Sequence, residues 1–249
     1  MNQPVWHWEV QIQGCLSDLD HLARHFASGD MRVSRDERDD SYLYQSDAFG
    51  GCTTSEEVLQ IAGSEFAVLS GVLKFGRGSR ELLRAGTVYK WHSDGSRDVF
   101  VHVHDSIQVR VEMGEITVSV TDAEGNVIIR PSPPPRTVSI SALAVRDEAV
   151  KKVMRLIAAL DANTWVGLYR MHEVIEADVG GERLLQKTGW GSSKDLKRFK
   201  HSANSVSVAG DKARHGKEHE QPPTNPMSID EAVAYVNYVL HAWLAAKSA

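Results

Sequence analysis

Arg214, His215 and His219 are the residues of this 249-residue chain whose types and spacing most readily do chemistry. A guanidinium can grip a phosphate with two parallel N–H donors and stabilise charge that builds on it. An imidazole titrates near neutrality, so it can take up or release a proton during a reaction. The three residues close a basic stretch that opens at Ser193 with Lys194-Asp195-Leu196-Lys197-Arg198-Phe199-Lys200. From Arg183 to Lys217 there are nine Lys/Arg against two acids, Asp195 and Asp211. Such a stretch is a candidate phosphate-binding surface, with Lys197, Arg198, Lys200, Asn204 and Lys212 as substrate contacts. Its plainer alternative is a solvated helix face.

The order is arginine, a polar residue, three further positions, then histidine. It lies within a run of helical patterns from about Ser139 to the C-terminus, a little under half of the chain. Here the chain resembles a HEPN-type domain, a small helical bundle. In catalytic members of that family two such motifs face each other across a homodimer and cut RNA without metal. The resemblance implies that Arg214 holds the scissile phosphate. It implies that His219 acts as general base or acid on the ribose 2′-hydroxyl and the leaving oxygen, and that His215 orients the substrate. It further implies RNA as partner, a homodimer formed through the bundle, no cofactor or metal, and a toxin or phage-defence setting. Other members bind without cutting. The alternative is therefore a non-catalytic binding or dimerisation module whose N-terminal part recognises a ligand or protein. The same Arg/His spacing recurs at Arg97 and His102 beside an expected strand, and Gly216 is expected to end the helix that carries Arg214.

Further polar groups lie upstream. His172 and Glu176, one turn apart, have zinc-compatible spacing but lack an obvious third ligand. Arg170 and Glu173 are spaced as a helix surface pair. Glu173 or Glu176 can instead support the site by meeting Arg198 or Arg214. Asn204 lies beside the apolar seam, where it either fixes register or lines the groove of His215. His21 and His25 read as a solvated helix face, and His102 and His104 as the outward face of a strand. Gly71, Gly76 and Gly78 lack a following Lys-Ser/Thr, and Gly76-Arg77-Gly78-Ser79 comes after a helix instead of a strand, so they are not a phosphate loop.

These groups need elements to hold them, and the pattern predicts two kinds. Val5–Ile12 alternates as a strand, and Ser17-Asp18-Leu19-Asp20 opens a short helix. Met31–Arg35 and Tyr42–Gln45 read as strands, and a long apolar helix starts at Ser55. A meander of strands follows at Thr87–Trp91, Val99–His104, Ile107–Met113, Ile116–Thr121 and Val127–Ile129. After Arg130-Pro-Ser-Pro-Pro-Pro-Arg136 the pattern turns helical. One helix is expected from about Asp147 to Leu160 and another from Thr164 to Val179. A third runs from Ser192 or Ser193 through Leu196, Phe199, Ala203, Val206, Gly210 and Ala213. A fourth is opened by the capping box Ser228-Ile229-Asp230-Glu231. The expected fold class is α+β: a mostly antiparallel sheet with two helices over residues 1–130, a proline-rich linker over 131–138, and a four-helix bundle of HEPN type over 139–249.

Composition agrees with an ordinary globular chain, 42% hydrophobic and 24% charged. The net charge of −5 conceals an asymmetry. Residues 1–136 carry 13 Lys/Arg against 20 Asp/Glu, and residues 137–249 carry 15 against 13. No apolar run is expected to approach the roughly 18 residues that span a bilayer, and the first ten residues lack a signal-peptide layout. A cytoplasmic protein with no membrane partner is expected. Cys15 and Cys52 imply no disulfide framework, and the six tryptophans are expected mainly as core.

Overall fold

The computed structural model describes residues 6–101, 134–210, 213–214 and 223–248. The expected strands at Ile107–Met113, Ile116–Thr121 and Val127–Ile129 lie outside them. So do His102, His104, Lys212, His215, His219 and the prolines at 131 and 133. The architecture is α+β, with a five-stranded antiparallel sheet and two helices followed by a helical region. The residues form two units. One comprises Met1–Leu69 and Gly76–Val138, and the other Ser70–Phe75 and Ser139–Ala249.

The first unit contains β1 (Trp6–Gln13), α1 (Leu16–His25), β2 (Met31–Arg35), β3 (Tyr42–Ser46), α2 (Ser55–Arg77) apart from its strip Ser70–Phe75, β4 (Arg84–His92) and β5 (Arg97–Phe100). The strand order is β2-β3-β1-β4-β5, so the first strand is central. Val10 pairs with Tyr44 on one side, and Trp8 with Lys90 on the other. Alternation sends Trp8, Val10 and Ile12 to one face, where all three are buried. The α2 helix covers that face: Phe66 packs edge-on to Tyr44, and Glu65 accepts hydrogen bonds from Tyr44 and Ser46. Glu9, on the opposite face, is also buried; it accepts from Gln45 at 2.6 Å and from Trp91 at 2.5 Å. Cys52 is buried, and its carbonyl accepts from the Trp8 indole.

Two expectations for this unit change. His21 is buried, not solvated. Its Nδ1 lies 3.1 Å from the Arg77 guanidinium and its Nε2 2.7 Å from the Thr137 hydroxyl. Since arginine can only donate, Nδ1 accepts and Nε2–H donates. Arg77 also reaches the buried Asp18 at 3.2 Å. A single polar side chain on an apolar helix face gave no sign of partners supplied from residues 77 and 137. Second, α2 is a 23-residue helix that, by length and composition, is apolar enough to cross a membrane, although half of its most apolar window is buried in the fold. Scattered polar residues hide this from a search for uninterrupted apolar runs.

The later helices are α3 (Arg136–Arg146), α4 (Glu148–Ala158), α5 (Trp165–Val179), α6 (Glu182–Lys187), α7 (Ser193–Asn204), α8 (Val206–Ala209) and α9 (Ile229–Ser248). The four expected helices correspond to α4, α5, α7 and α9, with α3, α6 and α8 in addition. Asp147 caps α4 through the N–H groups of Ala149 and Val150, and Thr164 caps α5 through that of Gly167. The α5 helix ends where Gly180 adopts φ 95°, which brings the Gly181 N–H back to the Glu176 carbonyl. At the start of α9, Ser228 and Glu231 cap each other's backbone N–H groups as the sequence predicts. Val153, Met154, Leu168, Ile175, Val239 and Trp243 form the centre, all nearly inaccessible to solvent. Full burial of each such side chain contributes about 1.5–3 kcal/mol. Gly71 of α2 lies against α4 so closely that a Cβ there would come within 1.9 Å of the Met154 carbonyl oxygen.

The third expected helix does not run on to Ala213. It stops at Asn204, because Ser205 takes an extended conformation (φ −94°, ψ 120°) and its hydroxyl meets that of Ser207. Leu196, Phe199 and Ala203 are buried as the seam predicts, whereas Gly210 is exposed. Serine and asparagine compete for backbone hydrogen bonds, and here that competition outweighs the apolar spacing.

Candidate functional site

The described part of the predicted site is built on α5. Tyr169 and Glu173 lie one turn apart and therefore on one face. Arg214, beyond α8, returns to that face. Its backbone N–H donates to the Ala203 carbonyl at 3.0 Å, and its Nη2 donates to Glu173 Oε1 at 2.8 Å. Its Cζ stands 4.2 Å above the centre of the Tyr169 ring. The Tyr169 ring also stacks on Phe199 of α7, with centroids 5.8 Å apart and planes inclined by 22°. Of the pairings expected from sequence, the one between Glu173 and Arg214 is present. Arg170 does not pair with Glu173; its partner is Asp161, at 3.1 Å.

The neighbouring cations are placed differently from one another. Lys200 sits 2.7 Å from both Glu176 and Glu182. Its burial opposes the charge, but the two carboxylates more than offset this and raise its pKa. The same ammonium holds the Glu182 carboxyl below the ordinary range. Arg198 donates to the carbonyls of Asn225 and Pro226 and to Glu231 at 2.9–3.1 Å. Lys200 and Arg198 thus tie helices together. Lys197 is exposed on α7. Asn204 ends α7 next to the carbonyl that holds Arg214, and its Oδ1 is buried with no hydrogen-bond partner among the described residues.

His172 is wholly buried between Phe199 and Tyr235, with ring centroids at 5.3 and 5.9 Å. Burial, reinforced by the Lys200 charge, pushes its pKa down to about 4, so it is neutral at pH 7. Tyr235 Oη is 3.5 Å from Nε2, and burial raises the pKa of that phenol. No cluster of three metal-ligating side chains occurs among the described residues; His172 Nδ1 lies 3.5 Å from the partly exposed Glu176 carboxylate.

Besides a cleft of about 740 Å³ between α4 and α5, lined by Lys152, Arg170, Glu173 and Asp178, two clefts went unrecognised in the sequence. One, of about 630 Å³, lies between the start of α7 and α9, with Asp195, Arg198, Glu231, Tyr235 and Tyr238 in its wall. The other, of about 710 Å³, lies in the first unit and is lined by Trp6, His7, Trp8, Arg32, Asp47 and His92. The shared side of Trp6 and Trp8 was the only sequence signal for it; the remaining residues come from β1 itself, β2, β4 and the turn after β3.

Compared with known proteins, the chain matches no family model, no curated protein sequence and no solved structure.

Proposed function

We propose that the helical unit is a metal-independent endoribonuclease of HEPN type. The observation that carries this reading is the placement of Arg214. A cation beyond α8 is fixed at its backbone, along one edge and over one face, while its side chain stays 35% exposed. A guanidinium held in this way can meet an incoming phosphate without first losing its own freedom. In the proposed reaction His219 takes the proton of a ribose 2′-hydroxyl, and that oxygen attacks the adjacent phosphorus. The bond to the 5′-oxygen breaks, the leaving oxygen receives a proton, and a 2′,3′-cyclic phosphate remains. Arg214 stabilises the charge on the phosphoryl oxygens, and His215 orients the strand. The requirement for a 2′-hydroxyl restricts the substrate to RNA.

The test is cleavage of labelled tRNA and unstructured RNA in EDTA. Cleavage that Arg214→Ala and His219→Ala each abolish, with cyclic phosphate ends, supports the reading. A folded wild-type protein that leaves every RNA intact counts against it. The engagement of Lys200 and Arg198 within the fold favours a second reading, a binding or dimerisation module without catalysis. RNA retention that depends on Arg214 but is unaffected by His219→Ala, with no product, identifies that case.

A further inference from the structure

We infer that Tyr169 and Glu173 are positioning residues for Arg214, and that Glu173 also sets how strongly that arginine attracts a phosphate. This rests on the reading of Arg214 as a phosphate ligand. Both residues belong to α5, whose Thr164 cap and Gly180 terminus fix the helix at each end. Tyr169 is 7% exposed and is backed by Phe199, so its ring is a rigid shelf. The Arg214 Cζ stands over it, 4.2 Å from the ring centre. A cation over an aromatic face is attracted by the ring's negative face, by only about 0.5–1 kcal/mol at an exposed site. Glu173 supplies the missing constraint by gripping Nη2 at 2.8 Å.

The pair adds little to the stability of the fold. Arg214 is 35% exposed and Glu173 47%, and exposed ion pairs of this kind contribute about 0–1 kcal/mol. Its consequence is directional. With one edge committed to Glu173 and one face to Tyr169, the guanidinium presents its remaining edge to a ligand. The carboxylate also weakens the attraction for a phosphate, since it neutralises part of the charge that the phosphate would meet.

The experiment measures single-turnover cleavage and RNA affinity for wild type, Glu173→Gln, Glu173→Ala, Tyr169→Phe and Tyr169→Leu, with Arg214→Ala as reference. Glu173→Gln keeps an acceptor and removes the charge. Affinity should tighten by roughly two- to five-fold, the factor of an exposed ion pair, with the cleavage rate nearly unchanged. Glu173→Ala should tighten affinity similarly but slow cleavage on the order of tenfold, because orientation is lost. Tyr169→Phe should match wild type, and Tyr169→Leu should slow cleavage without changing affinity. Wild-type rates in Glu173→Ala and Tyr169→Leu, alongside an inactive Arg214→Ala, overturn the inference while the nuclease reading stands.

A second readout does not depend on activity. In wild type the Arg214 Nε–H proton should be shifted upfield by the Tyr169 ring, as assigned by its loss in Arg214→Lys. Tyr169→Phe should retain the shift, and Glu173→Ala should diminish it. An unshifted proton overturns the inference even if RNA is cut. A shifted one, with RNA neither bound nor cut, supports the seat and refutes the phosphate reading. These variants also decide the matter if Tyr169→Leu fails to fold.

Discussion

Glu176 Oε2 lies 2.7 Å from Lys200 Nζ and 3.5 Å from His172 Nδ1, so one carboxylate oxygen is shared between a strong cation and a buried imidazole. The lysine holds it. His172 is left neutral in the core, and this makes the helical unit sensitive to acid. Its pKa falls from 6.5 to about 4 on folding, chiefly through burial. Between those values the unfolded chain binds a proton that the folded chain does not, so stability rises with pH across that window. It is fully present above about pH 6.5 and is lost as pH falls toward 4. The loss attributable to His172 is on the order of 3 kcal/mol. Urea unfolding at pH 7.5 and pH 5 should show about 2 kcal/mol of it, since pH 5 lies inside the window, and His172→Phe should lack that share. An unchanged pH dependence in that variant would show that other groups set it.

Lys200 and Lys197 should separate stability from binding. Lys200 lies between two carboxylates, so Lys200→Ala should lower stability by about 1–3 kcal/mol through the repulsion and desolvation left behind. Lys197 is exposed, and Lys197→Ala should leave the melting temperature unchanged. On the proposed function it should flatten the dependence of log affinity on log salt by roughly 0.7 for each phosphate that the lysine neutralises. Calorimetry and salt titrations would check the two halves separately.

Gly71 and Gly63 occupy the same helix yet should respond oppositely to alanine. A Cβ on Gly71 would meet the Met154 carbonyl oxygen at 1.9 Å, whereas nothing lies within 4 Å of one on Gly63. Gly63→Ala should stabilise by about 0.5–1 kcal/mol through helix propensity. Gly71→Ala must displace backbone, and should destabilise by roughly 1–3 kcal/mol or more. Thermal melts of the two variants make the comparison.

Trp243 combines packing with a polar tie. It is 1% exposed, and its indole N–H donates to Asp178 at 2.8 Å. Lys247 bridges Asp178 to Asp147, so the acid keeps a partner if the indole is removed. Trp243→Phe should therefore cost less than Trp243→Ala, for which about 3–5 kcal/mol is expected. Equal losses in denaturant titrations would assign most of the effect to the hydrogen bond.

These particulars mark what the sequence could show. Alternation at Trp8, Val10 and Ile12, the capping box at Ser228 and Glu231, and the Gly180 stop are local signals, and each produced the expected local structure. The Glu173–Arg214 pair was legible as one of several charge pairings that facing helices permit. The break at Ser205 was not legible, since the seam of Leu196, Phe199 and Ala203 continues in spacing beyond the point where backbone competition ends the helix. Nor was the shelf under Arg214. Tyr169 reads as one more apolar position of α5, and nothing near it in sequence announces that Arg214, far along the chain, returns to lie on it. His21 misled for the same reason: its partners, Arg77 and Thr137, are distant in sequence.

The strip Ser70–Phe75 of α2 belongs with the helical unit, where Gly71 meets Met154 and the Phe75 ring lies 4.5 Å from that of His241. The helical unit is therefore interrupted in sequence even though its later helices are consecutive. During synthesis the chain must release this strip long before α4 and α9 exist to receive it. A fragment that begins after the prolines would bare the buried Met154 to water, and adding a peptide covering Ser70–Phe75 is the natural way to close it again.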